Sequence, residues 1–177
     1  MKKYKSIGDG KFNINEFKNY GKNIIIEKDV KIFNEKNIFL EDNVYIGHNC
    51  IINSYINGEI FIGENSWIGQ NSYLHGAGKI KIGKSVGIGP LSKIFTSFHN
   101  INNTKKIIIN NEIIFKSVII DEGSDIGVGS IIMPGVKIGK NCMIGAGSVV
   151  TKTIPSNCVV AGVPAKIIKK YKNEKHN

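Results

Sequence analysis

From Ile120 to Val150 an aliphatic residue recurs at every sixth position, as Ile120, Ile126, Ile132, Ile138, Ile144 and Val150. Four residues after each of the first five comes a small or compact side chain (Ser124, Ser130, Val136, Cys142, Ser148), and glycine often follows the aliphatic directly, as at Gly127, Gly139 and Gly145. A 3.6-residue helical period would throw such positions onto different faces, and the two-residue alternation of an isolated strand does not generate a cycle of six. A coiled sheet does. It needs one short strand and one sharp turn per hexad and three hexads per triangular coil, with coils stacked so that Ile120 lies beneath Ile138.

The same period reaches back to Leu40. Taken in threes, the inward positions are Leu40, Ile46, Ile52; Ile62, Ile68, Leu74; Ile82, Ile88, Ile94; Ile120, Ile126, Ile132; and Ile138, Ile144, Val150. Spacing inside each triplet is six, whereas between triplets it is ten, eight, twenty-six and six, so every extra residue falls after the third member. Residues 56–61, 76–81 and 95–119 are therefore expected to project from one edge of the prism, where loops held by a rigid scaffold usually carry function. Ile26, Ile32 and Ile38 are also six apart, but Lys36 breaks the small-residue rule, which predicts an imperfect first coil.

The expected organisation is a lead-in over 1–25 with a short helix near Ile14 to Lys18, then a β-helix over 26–154 interrupted by the loop 95–119. The remainder, 155–177, reads as a tail whose helix starts at Pro164, with Ala165, Ile167 and Ile168 on one side, and closes the open end. The fold class is all-β: a parallel β-helix of about five to six triangular coils.

Composition changes this picture little. A 41% hydrophobic and 21% charged chain of 177 residues is ordinary for one globular domain. The amino terminus has lysines but neither an apolar segment nor a cleavage site, and no stretch is long and apolar enough to span a membrane, so the cytoplasm is expected. Cys50 and Cys142 take small inward positions and Cys158 stands apart, which reads as reduced core thiols. The net charge of +10 comes from scattered lysines apart from the late cluster Lys166, Lys169, Lys170, Lys172 and Lys175. No nucleic-acid motif accompanies them, so a nucleic-acid partner is not expected, while an anionic small ligand remains open.

The third face differs from the others, because its aliphatics are followed by Asn53, His75, Phe95, Met133 and Thr151 where the other faces have glycine or an acid. His75 begins one projecting segment and His99 lies in the next, so two of the four histidines are expected near each other, with Asn71 at the preceding corner.

The run IGVGSIIMPGVKIGKNCMIGAGSVVTKTIP, followed by VVAGVPAKIIKK, resembles the carboxyl half of the hexapeptide-repeat acyltransferases, in their sugar acetyltransferase branch. The resemblance covers roughly 40–170 and implies a left-handed coil, where the general rule for strand crossovers would have predicted right. It further implies a homotrimer with acetyl-CoA as acetyl donor and no metal. His99, in IFTSFHN, matches the family's catalytic histidine, whose imidazole would take the proton from an acceptor hydroxyl.

Val128 and Ala146 match positions whose backbone contacts the pantetheine arm, Thr151 and Lys152 match a pair at the nucleotide end, and Lys166 and Lys169 stand where relatives place basic residues against the CoA phosphates. For each lysine singly the alternative is a solvated basic tail. Asn71, in Ile68-Gly69-Gln70-Asn71, stands displaced along the turn from the reaction-centre asparagine of galactoside-type relatives, and with His75 it is the candidate acceptor contact. Asp125 replaces a tryptophan common among relatives, and Trp67 reads as a wall or subunit contact.

The acceptor implied is a surface-polysaccharide sugar, O-acetylated, with a nucleotide-linked amino sugar as the alternative. A zinc enzyme resembling the γ-class carbonic anhydrases is disfavoured, because Thr104 stands where a second histidine would follow His99 and His48 lies a coil away from His75. An inactive assembly prism is the other rival.

Overall fold

A computed structural model describes residues 6–102, 105 and 107–171, so Thr104, Lys172 and Lys175 lie outside the described residues. The chain forms a parallel β-helix with three faces. The first face stacks the strands Asn19–Tyr20, Ile38–Leu40, Ile60–Ile62, Ile80–Ile82, Val118–Ile120 and Lys137–Ile138. The second runs from Ile25–Ile26 through Tyr45–Ile46, Trp67–Ile68, Gly87–Ile88, Asp125–Ile126 and Met143–Ile144 to Cys158–Gly162. Lys31–Phe33, Ile51–Asn53, Tyr73–His75, Lys93–Phe95, Ile131–Ile132 and Val149–Val150 make the third. Ile120 is in register with Ile138, as the hexads require.

All fifteen aliphatics of the five triplets are buried at 0–1% exposure, in a single core. The compact residues turn the corners and satisfy the backbone there. Ser66 Oγ donates to Gly83 O at 2.9 Å, Ser124 Oγ to Gly139 O at 2.8 Å and Ser130 Oγ to Gly145 O at 3.2 Å, each bond tying one coil to the next. Asparagines occupy many left-handed turn positions, a conformation they tolerate better than most side chains. At one corner Asn23 donates to Asn43 Oδ1 and Asn43 to Asn65 Oδ1, both at 3.0 Å.

Three boundaries differ from expectation. First, the stack begins earlier. Ile26 and Ile32 belong to a coil opened by Asn19–Tyr20, while Ile38 shares a strand with Leu40 in the coil above. The polar lead-in holds one 3-10 turn, Ile14–Glu16, and caps this coil with Phe17, whose ring lies 5.4 Å from that of Tyr20.

Second, the projecting segments lie elsewhere. First-face strands in the middle of the stack carry two inward positions, i and i+2, so Ile60, Ile80 and Val118 are buried; the first insert shifts to 54–59 and the other two contract to 76–79 and 96–117.

Third, the tail is a strand. Ala165–Lys170 folds back antiparallel on Cys158–Gly162, pairing Ala161 with Lys166 and Gly162 with Ala165, where a helix from Pro164 is expected. Gly162, at φ +103°, permits the reversal, and the paired strand covers the second face's open edge, the role assigned to the helix.

Candidate active site

The longest insert is an arm. Ser97–His99 pairs antiparallel with Ile113–Phe115, setting Ser97 opposite Phe115, Phe98 opposite Ile114 and His99 opposite Ile113. Its root is rigid. The buried Thr96 accepts from Gly78 N at 2.8 Å and donates to His75 O at 2.5 Å, while Lys116 N donates to Thr96 O at 2.9 Å. A Cβ on Gly78 would come within 2.4 Å of Thr96 O, so the turn 76–79 can approach the arm this closely only with glycine.

His99 is half-buried, and its Nδ1 lies 3.4 Å from Asn111 O. A carbonyl only accepts, so this contact places the Nδ1 proton on it and leaves Nε2 with a lone pair. Asn111 is itself buried, and its Nδ2 donates to Asn100 O at 2.7 Å, which ties the two sides of the arm together next to His99. Residue types alone name no group to orient the imidazole. A backbone carbonyl leaves no trace in residue identity, so only structure could find it.

His75 stands on the third face between Asn53 and Phe95 in adjacent strands. Its ring packs 4.7 Å from Tyr55 and 6.0 Å from Phe95, with Thr96 Oγ1 3.5 Å from Nδ1. Burial holds its pKa below the usual histidine value, opposed by a smaller contribution from its own backbone. Tyr73 completes the group: burial, then a hydrogen bond to Tyr55, pushes its phenol well above the normal range. Of this aromatic cluster, the hexad pattern singles out His75 and Phe95 alone. Tyr55 lies in an insert and Tyr73 precedes an inward residue, so neither stands out from the hexad.

Asn71 is not beside His75. It occupies the left-handed corner between the second and third faces, at φ +58° with its N–H on His48 O. That corner lies four residues before His75, about 13 Å at ~3.3 Å per residue.

Val128 and Ala146 stack at that same corner, where Gly147 N donates to Val128 O at 2.8 Å and both side chains are exposed. Thr151 and Lys152 lie across the third face, on the edge from which the arm leaves. They share a cavity of about 320 Å³ with Pro164, Ala165 and Lys166, which the folded-back strand brings over the last coil. Lys169 lies further along that strand, its Nζ 5.4 Å from the Tyr171 ring centroid. Thr151, Lys152 and Lys166 are thus brought together, whereas Val128 and Ala146 stand apart from them and from His99 within one chain. Trp67 stacks on Tyr45 at 6.1 Å on the outer second face, and Asp125 folds over Gly87 in the next strand.

A three-faced parallel coil bearing a histidine arm and a basic, folded-back tail defines a narrow class of protein. Residues 116–152 match the family described as bacterial transferase hexapeptide (six repeats). The chain is 42% identical over 93 residues to a galactoside O-acetyltransferase of Lactococcus lactis, covering 51% of this chain and 43% of that protein. With the galactoside O-acetyltransferase of Escherichia coli it shares 38% identity over 98 residues, 55% of this chain and 47% of the other.

Along nearly its whole length the chain is similar to AntD, an N-acyltransferase from Bacillus cereus solved in complex with dTDP and 3-hydroxybutyryl-CoA. The TM-score is 0.79 at 27% identity, covering 89% of this chain and 85% of that one. The chain is thus similar over residues 116–152 to the hexapeptide-repeat transferases and over most of its length shares the stacked parallel β-helix fold of an N-acyltransferase. It spans about half the length of the curated relatives it matches.

Proposed function

We propose that the protein transfers the acetyl group of acetyl-CoA to a sugar hydroxyl in surface-polysaccharide synthesis, with His99 as general base. The observation that carries this reading is the His99 Nδ1 contact with Asn111 O on a rigidly rooted arm. It leaves Nε2 free to take the hydroxyl proton as the oxygen attacks the thioester carbon. The C–S bond then breaks, and the proton passes from Nε2 to the departing thiolate. Positioning supplies much of the remaining acceleration.

The cavity formed by Thr151, Lys152 and Lys166 suits the phosphates of CoA. Exposed lysines there attract phosphate as point charges, without the bidentate grip of arginine. Val128 and Ala146 offer small exposed corner residues for the pantetheine arm, and Lys169 extends the basic strand. Asn71 and His75 are assigned to the acceptor side.

These groups stand on two edges of the third face, five residues apart from Val128 to Met133, about 16 Å at ~3.3 Å per residue. A thiol at the Val128–Ala146 corner is therefore remote from its own chain's His99, and a neighbouring copy must bring them together. This supports a homotrimer with the site in the clefts between prisms. We place the enzyme in the cytoplasm, where its three unpaired, buried cysteines stay reduced.

Likeness to AntD over most of the chain favours a second reading, N-acetylation of a nucleotide-linked amino sugar. Thiol release from acetyl-CoA across a panel of sugars, amino sugars and nucleotide sugars tests both. Release with one acceptor class is expected, and release with none, from protein that is folded, overturns the assignment.

A further inference from the structure

At the foot of the arm lies a second cavity, of about 490 Å³, lined by Tyr55, Ile56, Asn57, Ala77, Lys79 and Phe115. It lies within the size range of small-molecule sites. Two inserts and the arm build it, on the corner where the third face meets the first.

Strand alternation decides which side of the arm it serves. In the register that sets His99 opposite Ile113 and Ser97 opposite Phe115, His99 and Phe115 share one face, two residues apart along the arm. Phe98 is on the other face, covered by Lys116, whose Nζ lies 5.5 Å from its ring centroid. The spacing from Phe115 to His99 is about 7 Å at ~3.4 Å per residue, so a ligand resting on Phe115 extends naturally to the imidazole.

The lining selects the ligand's chemistry. A free sugar is ringed with hydroxyls, and most of these would face Tyr55, Ile56, Ala77 and Phe115 without a partner, a costly arrangement. A heteroaromatic base has two apolar faces for tyrosine and phenylalanine and a polar edge that the Asn57 amide can meet. The Tyr55 wall is braced from behind by the His75 ring at 4.7 Å and by its hydrogen bond with Tyr73. Among the described residues Lys79 is the one cation of the lining. Its contact with Glu59 is long, 3.8 Å between exposed groups, and does not tie it down. The chain's net charge of +10 also favours approach of an anion.

We propose that this cavity is the subsite for the nucleoside diphosphate half of a nucleotide-linked sugar. The base lies against Tyr55 and Phe115, the diphosphate meets Lys79, and the sugar runs along the arm to present its acceptor group to His99. The subsite rests on the reading of His99 as base, since that makes the arm's shared face a reaction path.

The test is calorimetry of the whole chain with UDP, dTDP and GDP, with galactose and glucose as controls, on wild type, Phe115→Ala and Lys79→Asn. Phe115 is 55% exposed, so its loss leaves the core intact. Lys79 has φ +77°, a conformation asparagine accepts. At least one diphosphate should bind, about tenfold or more weaker in Phe115→Ala. In Lys79→Asn it should bind several-fold weaker, with a shallower salt dependence, while acetyl-CoA affinity is unchanged in both.

Diphosphate affinity undiminished in both variants overturns the subsite. So does acetylation of free sugars by a protein with no diphosphate affinity, and that result would leave acetyl transfer standing. Diphosphate binding weakened by both substitutions, in a protein that never releases thiol from acetyl-CoA, would retain the subsite and sink the transfer reading.

Discussion

An imidazole whose Nδ1 proton is held by a backbone carbonyl has its ring orientation and tautomer fixed, with Nε2 left to accept. His99 thus relies on geometry, and removing it should spare whatever binds elsewhere. His99→Ala is expected to keep acetyl-CoA affinity, with turnover falling by roughly 10²–10⁴. His75 provides the contrast. Burial keeps it neutral near pH 7, packed against Tyr55 and Phe95, so His75→Ala should raise KM for the acceptor more than it lowers kcat. Calorimetry and steady-state rates on both variants check this. Equal losses of kcat, or a His99→Ala enzyme within a few-fold of wild type, would remove His99 from the mechanism. At this scale the sequence singles out His75 by its place after the third-face Leu74, and His99 by its place in the long excursion and its match to the family's histidine. It does not show Asn111, because what that residue contributes to His99 is a main-chain oxygen.

The strand of one hexad is too short to be stable alone, so each inward aliphatic is held by those directly above and below it. Ile126 pairs with Ile88 on one side and Ile144 on the other, and all three are 0–1% exposed. Ile126→Asp would bury a carboxylate in a column with no cation beside it and should cost on the order of several kcal/mol, enough to prevent folding of a protein of ordinary stability. Circular dichroism and solubility report the outcome, and a soluble variant with an unchanged melting temperature would mean that the position faces outward.

The hexads make this column legible because a single period is repeated in every coil. The arm and the tail have no period. The apolar run of the tail fits a buried strand as well as a helical stripe, and the choice is made by the unpaired edge of Cys158–Gly162, a tertiary demand that local sequence does not encode. The arm is recognisable as an excursion from its broken register, yet its antiparallel pairing depends on Thr96 bonding to both His75 and Gly78, residues that only the coil brings near.

For the whole molecule the decisive fact is that one prism carries its candidate groups on opposite edges of a face. The arm with His99 leaves by one edge, and Val128 and Ala146 stand at the other. If neighbouring copies close the gap, sedimentation should show three chains, and the site should be divisible between them. Co-expression provides the stricter test. A His99→Ala chain lacks the base, and an Ala146→Trp chain blocks the pantetheine corner, so each alone should be nearly inactive. In mixed trimers some clefts receive His99 from the second chain and Ala146 from the first. With random assortment of equal amounts, about a quarter of clefts are intact and thiol release should recover to about that fraction. No recovery from mixed trimers whose composition is confirmed by mass spectrometry would mean that each chain uses its own His99 and Ala146, and the cofactor would then have to reach the arm across the third face of a single prism.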